Sequence, residues 1–151
     1  MVPFSKQVQV RWSDLDPNFH LRHSVYYDFG AYCRMCFLNE HGATPAMFLQ
    51  HKIGPVLLRE ECVFRREIHF ADDVSINMLL KRSKRDMSRW SMVHEITKSG
   101  GELSAIITID GAWMDTEKRK LVAPSPFIID TIDKLAKTPD FEWLADKPAK
   151  T

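Results

Sequence analysis

A chain of 151 residues can bury one hydrophobic core without disulfides or metal, so a single domain spanning 1–151 is expected. Its 44% hydrophobic and 27% charged residues exclude both a disordered chain and a membrane-embedded one. Twenty-one Lys and Arg against twenty Asp and Glu leave a net charge of +1, so no overall field favours a nucleic-acid partner, and any anion site has to be local.

Met1 to Gln7 has no apolar stretch of the kind a signal peptide needs. Asp28, Arg34 and Asp110 interrupt the longest apolar windows, all well short of the roughly 18 residues that span a bilayer. A cytoplasmic protein with no membrane partner is expected. From Lys6 to Trp12 the residues alternate, with Val8, Val10 and Trp12 on one face, which predicts a strand. Turn formers follow from Ser13 to Asn18. Ser24 is placed to cap a helix that runs to the stop at Gly42. The body of that helix, Val25 to Leu38, is apolar nearly all round, which predicts that other elements wrap it.

Four extended stretches come next, near Val56 to Ile68, Val74 to Ser83, Ser88 to Lys98 and Leu103 to Asp115. Ala71-Asp72-Asp73 and Ser99-Gly100-Gly101 turn the chain between them, so short connections predict antiparallel neighbours. Ser125-Pro126 starts a short helix reaching about Ala136. The polar tail, 137–151, is expected to be loosely held, with Phe141, Trp143 and Leu144 available to dock it. Together these elements predict an α+β architecture, an antiparallel sheet of about five strands wrapped round one long central helix. Cys33, Cys36 and Cys62 are odd in number and show no metal-type spacing beyond the first pair, which suits buried thiols in a reducing compartment.

Polar residues are densest where the first strand meets the helix: Asp14, Asp16, Asn18, His20, Arg22, His23 and Ser24. A helix start offers free backbone N–H groups and the positive end of its dipole to developing negative charge. A carboxylate just upstream completes a minimal kit for acyl transfer, a base or nucleophile facing fixed donors. The bland alternative is turn chemistry, because Asp so often caps turns, and His20 and His23 also suit ordinary loop hydrogen bonding. Asp14, Asp16, His20 and His23 match no tight zinc or EF-hand spacing, so neither metal nor cofactor is expected.

Asp14-Leu15-Asp16-Pro17, then His20 and His23, then Ser24-Val25-Tyr26 opening an apolar helix, resembles the 4-hydroxybenzoyl-CoA thioesterase family of hotdog-fold proteins. The resemblance implies a hotdog fold and hydrolysis of an acyl-CoA, with Asp16 as general base or nucleophile. It also implies that amides near His23, Ser24 and Val25 polarise the carbonyl, that His23 orients or protonates, and that His20 and Tyr26 border the substrate. Some members carry a His seven residues after the aspartate, as His23 is, and the long-chain acyl-CoA branch has one at the fourth position, as His20 is. Phe19, Arg22 and His23 depart from that branch's usual Gly and Asn, and Ala31 stands where a Glu often precedes the helix Arg, here Arg34. These departures leave the acyl group unassigned. A homodimer or homotetramer with its site at the seam is implied as well, within lipid metabolism. A non-catalytic acyl-binding protein and, more weakly, a hydratase or dehydratase on the same fold are the competing readings.

Lys81, Arg82, Lys84, Arg85 and Arg89 crowd one hairpin, where Arg82 and Arg85 are candidates for the phosphates of CoA and a solvated hairpin is the alternative. Tyr26, Tyr27, Phe29, Tyr32 and Phe37 give the helix an aromatic wall suited to core packing or to an acyl tunnel. Trp90 and Trp113 suit either a core or an interface.

Overall fold

A computed structural model describes residues 1–146. Strand β1 (Phe4–Val8) leads through a 3-10 turn (Trp12–Asp14) to helix α1 (Val25–Glu40), followed by helix α2 (Pro45–His51) and strand β2 (Ile53–Phe64). Strands β3 (Val74–Ser83), β4 (Arg89–Lys98) and β5 (Glu102–Asp115) come next, then β6 (Lys120–Leu121), helix α3 (Pro126–Asp133) and strand β7 (Lys137–Trp143). The sheet runs in the order β1-β3-β4-β5-β2. β3, β4 and β5 are the antiparallel neighbours their short connections predict, whereas β2 crosses to the far side and pairs with β5. That leaves β2 as a long edge strand.

α1 lays Tyr26, Phe29, Cys33 and Phe37, one helical stripe, in the core with Ile76, Met78, Ile107 and Ile109 of the sheet. Burying a side chain such as Phe37 or Ile107 this completely stabilises the fold by roughly 2 kcal/mol. The wrapping is one-sided, because Asp28, Ala31, Tyr32 and Met35 on the opposite stripe are exposed. Apolarity all round the helix therefore overstated its enclosure within one chain. Gly30 sits mid-helix for a steric reason. A Cβ there would lie 3.2 Å from Nη1 of Arg34 and 3.3 Å from Cδ2 of His94, two groups that meet beneath the helix.

Several boundaries differ from expectation. β1 starts and ends earlier, and Trp12, expected on the apolar face, is 81% exposed in the 3-10 turn. Ser24 stands at the start of α1 without capping it, since its Oγ instead accepts from Nε of Arg22 at 3.0 Å. α2 was not foreseen. Its Thr44 cap, which accepts from the Met47 amide at 3.2 Å, and Pro45 at the first position are nonetheless a standard start.

The tail is not loose as far as Asp146. β7 pairs in parallel with the second half of β3, beyond the residues that β1 covers, and Pro139 is tolerated because this is an edge strand. Residues 147–151, part of the same expectation, lie outside the described residues. Trp90 and Trp113 are both buried, with ring centroids 6.4 Å apart. All three cysteines are free thiols, and burial pushes Cys33 up to about 12 and Cys62 up to about 11.

Candidate active site

The segment between β1 and α1 is a miniature hairpin. Leu15 and Leu21 form an antiparallel bridge, the Asp16 amide donates to the His20 carbonyl at 2.8 Å, and Phe19 turns the chain at φ 63°. That left-handed conformation is rare for a residue other than glycine, and it concentrates strain at the tip of the turn. The Leu21 amide donates to the Ile68 carbonyl at 2.7 Å, and His20 bridges His69, so the turn is stitched to the segment that follows β2.

The two aspartates of the motif have separate environments. Asp14 is buried, with Oδ1 accepting from Nη2 of Arg11 at 2.9 Å and Oδ2 accepting from the Arg11 amide at 2.9 Å and its Nε at 3.3 Å. The Arg11 guanidinium holds the Asp14 carboxyl below the usual carboxylate range. Both of its oxygens are consumed in closing the 3-10 turn. Asp16 is half-buried, and its Oδ1 accepts from the amides of Asn18 at 2.8 Å and His20 at 3.2 Å. Among the described residues, its Oδ2 takes no hydrogen bond. One oxygen thus fixes the carboxylate while the other stays available for chemistry.

Asp16, His20, His23 and Tyr26 line a cleft of about 360 Å³, closed on the other side by Phe64, Arg65, Arg66 and Glu67. The Tyr26 ring meets Phe64 edge to face at 4.9 Å. Burial, then the nearby Cys62, Asp16 and Glu67, pushes the Tyr26 phenol up to about 12, so it stays a neutral donor. At the mouth of α1 the Val25 amide already donates to the Arg22 carbonyl at 2.9 Å. The amides of His23 and Ser24 have no acceptor among the described residues, which makes them the available pair.

Four expected site residues, Asp16, His20, His23 and Tyr26, therefore share one cleft, with Ser24 and Val25 beside it. Arg82 and Arg85 do not join them. They lie at the opposite end of β3, roughly 30 Å along a ten-residue strand. There Arg82 faces Glu142 at 4.0 Å, Arg85 stacks over the Trp143 ring at 4.5 Å, and Lys81 pairs with Asp140 at 3.0 Å. The hairpin cations thus face the acidic and aromatic side chains of β7.

Arg65, Arg66 and Glu67 went unread in the sequence because they reach the cleft only through the β2–β5 pairing and the stitch to the turn. A second cavity of about 200 Å³ runs along α1 past Ala31, Arg34, Met35 and Leu38, against Pro55 and Leu57 of β2. Among the described residues, Arg34 is the one charged side chain that lines it. Among the described residues, no helix is long and apolar enough to cross a membrane.

The model of the thioesterase-like superfamily matches residues 10–139, from just after β1 into β7. The chain belongs to the thioesterase-like superfamily. Solved structures show the same hotdog fold. A 1,4-dihydroxy-2-naphthoyl-CoA thioesterase from Synechocystis superimposes with a TM-score of 0.79 at 15% identity, covering 89% of this chain and 98% of that one. A Staphylococcus aureus protein solved in complex with CoA reaches 0.83 at 17% identity, covering 100% and 98%. A DHNA-CoA thioesterase from the same organism reaches 0.79 at 15%, covering 89% and 91%. No curated protein matches in sequence. Membership of this superfamily supports thioester hydrolysis as the general chemistry, on the α+β scaffold expected.

Proposed function

We propose that this protein hydrolyses an acyl-CoA thioester to the free acid and CoA, with Asp16 as the catalytic carboxylate. The observation that carries the reading is the uncommitted Oδ2 of a fixed aspartate, in a cleft at the start of α1. As general base, Asp16 takes a proton from water while the water oxygen adds to the thioester carbonyl; as nucleophile, it adds to that carbon itself and water later cleaves the acyl-enzyme. In both routes the C–S bond breaks, and the CoA sulfur leaves and takes up a proton. The amides of His23 and Ser24 face the developing oxyanion, and one such donor is worth about 3 kcal/mol of barrier. His23 supplies or guides the proton, while His20 and Tyr26 border the acyl group.

Arg65 and Arg66, exposed at the rim of the cleft, suit the phosphates of CoA. The Staphylococcus aureus relative solved with CoA supports a CoA-borne substrate here. The test is release of free thiol from straight-chain, branched and aromatic acyl-CoAs and from acyl-carrier-protein thioesters. Release from at least one acyl-CoA is expected, and its absence across the panel would favour a non-catalytic acyl-binding protein.

The active form in this reading is at least a homodimer. β2 presents an edge with Leu57, Leu58, Val63 and Phe64 all about half exposed, and the open face of α1 adds Tyr32 and Met35. A long apolar edge strand invites a second copy. Antiparallel joining of two β2 edges brings Arg82 and Arg85 of the second copy toward the end of the sheet where this copy's Asp16 lies. Sedimentation of the wild type should report a dimer or tetramer. The Leu58→Glu, Val63→Glu double variant should sediment as a monomer, and an unchanged assembly would place the seam elsewhere.

A further inference from the structure

Next to the Asp16 turn is a constellation from which the hydrolytic reading uses only His20, as a border of the acyl group. His20, Glu67 and His69 each bring a ligand-capable atom to within 4.8 Å of the others. We propose that these three side chains form a binding site for a divalent late first-row metal ion of the zinc class.

The backbone sets up this meeting. His20 and His69 are opposed residues of an antiparallel bridge, so their side chains leave the same face, and their rings meet edge to face with centroids 5.0 Å apart. Glu67 lies two residues before His69 on the segment after β2, and its carboxylate reaches the same cluster. The Glu67 carboxyl is held below its usual range by its own backbone amide first and then by Lys98, His20 and His69.

Asp72 completes the arrangement. Its Oδ2 accepts the His69 amide at 2.7 Å and lies 3.6 Å from Nδ1 of the same residue. A carboxylate on the Nδ1 side of an imidazole fixes the ring and leaves Nε2 for a metal.

Two imidazoles and one carboxylate match the ligand preferences of zinc and its neighbours, and disfavour calcium and magnesium, which call for oxygen cages. Bonds of about 2.0–2.1 Å place tetrahedral ligands about 3.3 Å apart, so the site closes by a small contraction of side chains. Glu67 and His69 are exposed and can make that adjustment. The remaining position falls to water. A bound ion would clamp the turn carrying Asp16 to the segment after β2, because the His20 amide is itself one of the donors to Asp16.

The experiment uses the untagged, chelator-treated full chain, titrated with Zn2+ in competition with a chromophoric chelator and followed in parallel by thermal melting. One equivalent should bind and raise Tm, and Mg2+ at the same concentration should leave Tm unchanged. His69→Ala and Glu67→Gln should each weaken zinc binding at least tenfold, and Asp72→Asn by roughly 10- to 100-fold. Melting each variant without metal separates lost ligands from lost folding. Absence of saturable zinc binding by the wild type would overturn the proposal, as would wild-type affinity in both His69→Ala and Glu67→Gln, leaving the two histidines as an edge-to-face pair that needs no ion.

Discussion

Asp16→Asn is expected to lower the rate of acyl-CoA hydrolysis roughly a thousandfold, the scale that a positioned acid–base group contributes, while the melting temperature stays near that of the wild type. The geometry separates the two effects. The amide oxygen of Asn can replace Oδ1 as acceptor for the Asn18 and His20 amides, so the turn survives. What disappears is the anionic oxygen that those amides leave over. Asp16→Ala would confuse the test by removing the turn's acceptor together with the charge. The measurement is kcat and KM on the best acyl-CoA from the panel, alongside circular dichroism and thermal melting. A variant turning over at the wild-type rate would remove Asp16 from the chemistry and leave its carboxylate as a turn cap. His23→Ala should cost less, roughly tenfold, because its ring is exposed and proton delivery can pass to water. If it cost more than Asp16→Asn, the two roles would have to be exchanged.

Asp16 could be singled out as a candidate in the sequence because everything that makes it conspicuous is local: the preceding strand, the turn formers and the apolar helix a few residues on. β3 and β4 were read closely for the same reason, since alternation over ten residues needs no knowledge of partners. What escaped depends on distant parts of the chain. Nothing between Lys52 and Ile68 announces that this segment pairs with β5 rather than β3, although that choice exposes its edge and sets Arg65 to Glu67 beside the turn. β7 escaped because a segment with a proline and mixed charge looks like a tail until β3 is seen to offer half an empty edge. The partners of the hairpin cations within the chain were out of sight for the same reason. Five positive charges in nine residues suggest an anion site, but Asp140 and Glu142, nearly sixty positions later, face two of them. His94 looked like one more member of an alternating strand. Its partner Arg34 lies sixty residues away, and only the fold brings them together.

That buried pair carries the second large expected effect, a loss of stability in mild acid. His94 is fully buried, with its Nδ1 donating to the Asn77 carbonyl at 2.7 Å and its Nε2 accepting from Nη1 of Arg34 at 3.0 Å. Arg34, whose side chain is only 14% exposed, has a distant counter-ion in Glu60 at 3.8 Å. Burial first, and the adjacent guanidinium second, pull the His94 imidazole down from its ordinary 6.5 to about 4. The folded protein therefore refuses a proton that the unfolded chain accepts. Where the folded value is depressed, the stability associated with the group is complete above pH 6.5 and drains away as the pH falls toward 4. At about 1.4 kcal/mol per pH unit, the loss across that window is on the order of 3 kcal/mol, a large share of a typical domain's stability. His94→Gln can keep a donor toward Asn77 and an acceptor toward Arg34 but cannot titrate. Denaturant unfolding at pH 7 and again at pH 5 should show the wild type losing roughly 2 kcal/mol more than the variant over that interval. Acidic side chains such as Asp14 weaken both proteins alike on further acidification, so the difference between them isolates the histidine. Parallel stability curves for the two proteins would mean that His94 accepts its proton in the folded state, and that the Arg34 contact is not the barrier its geometry makes it.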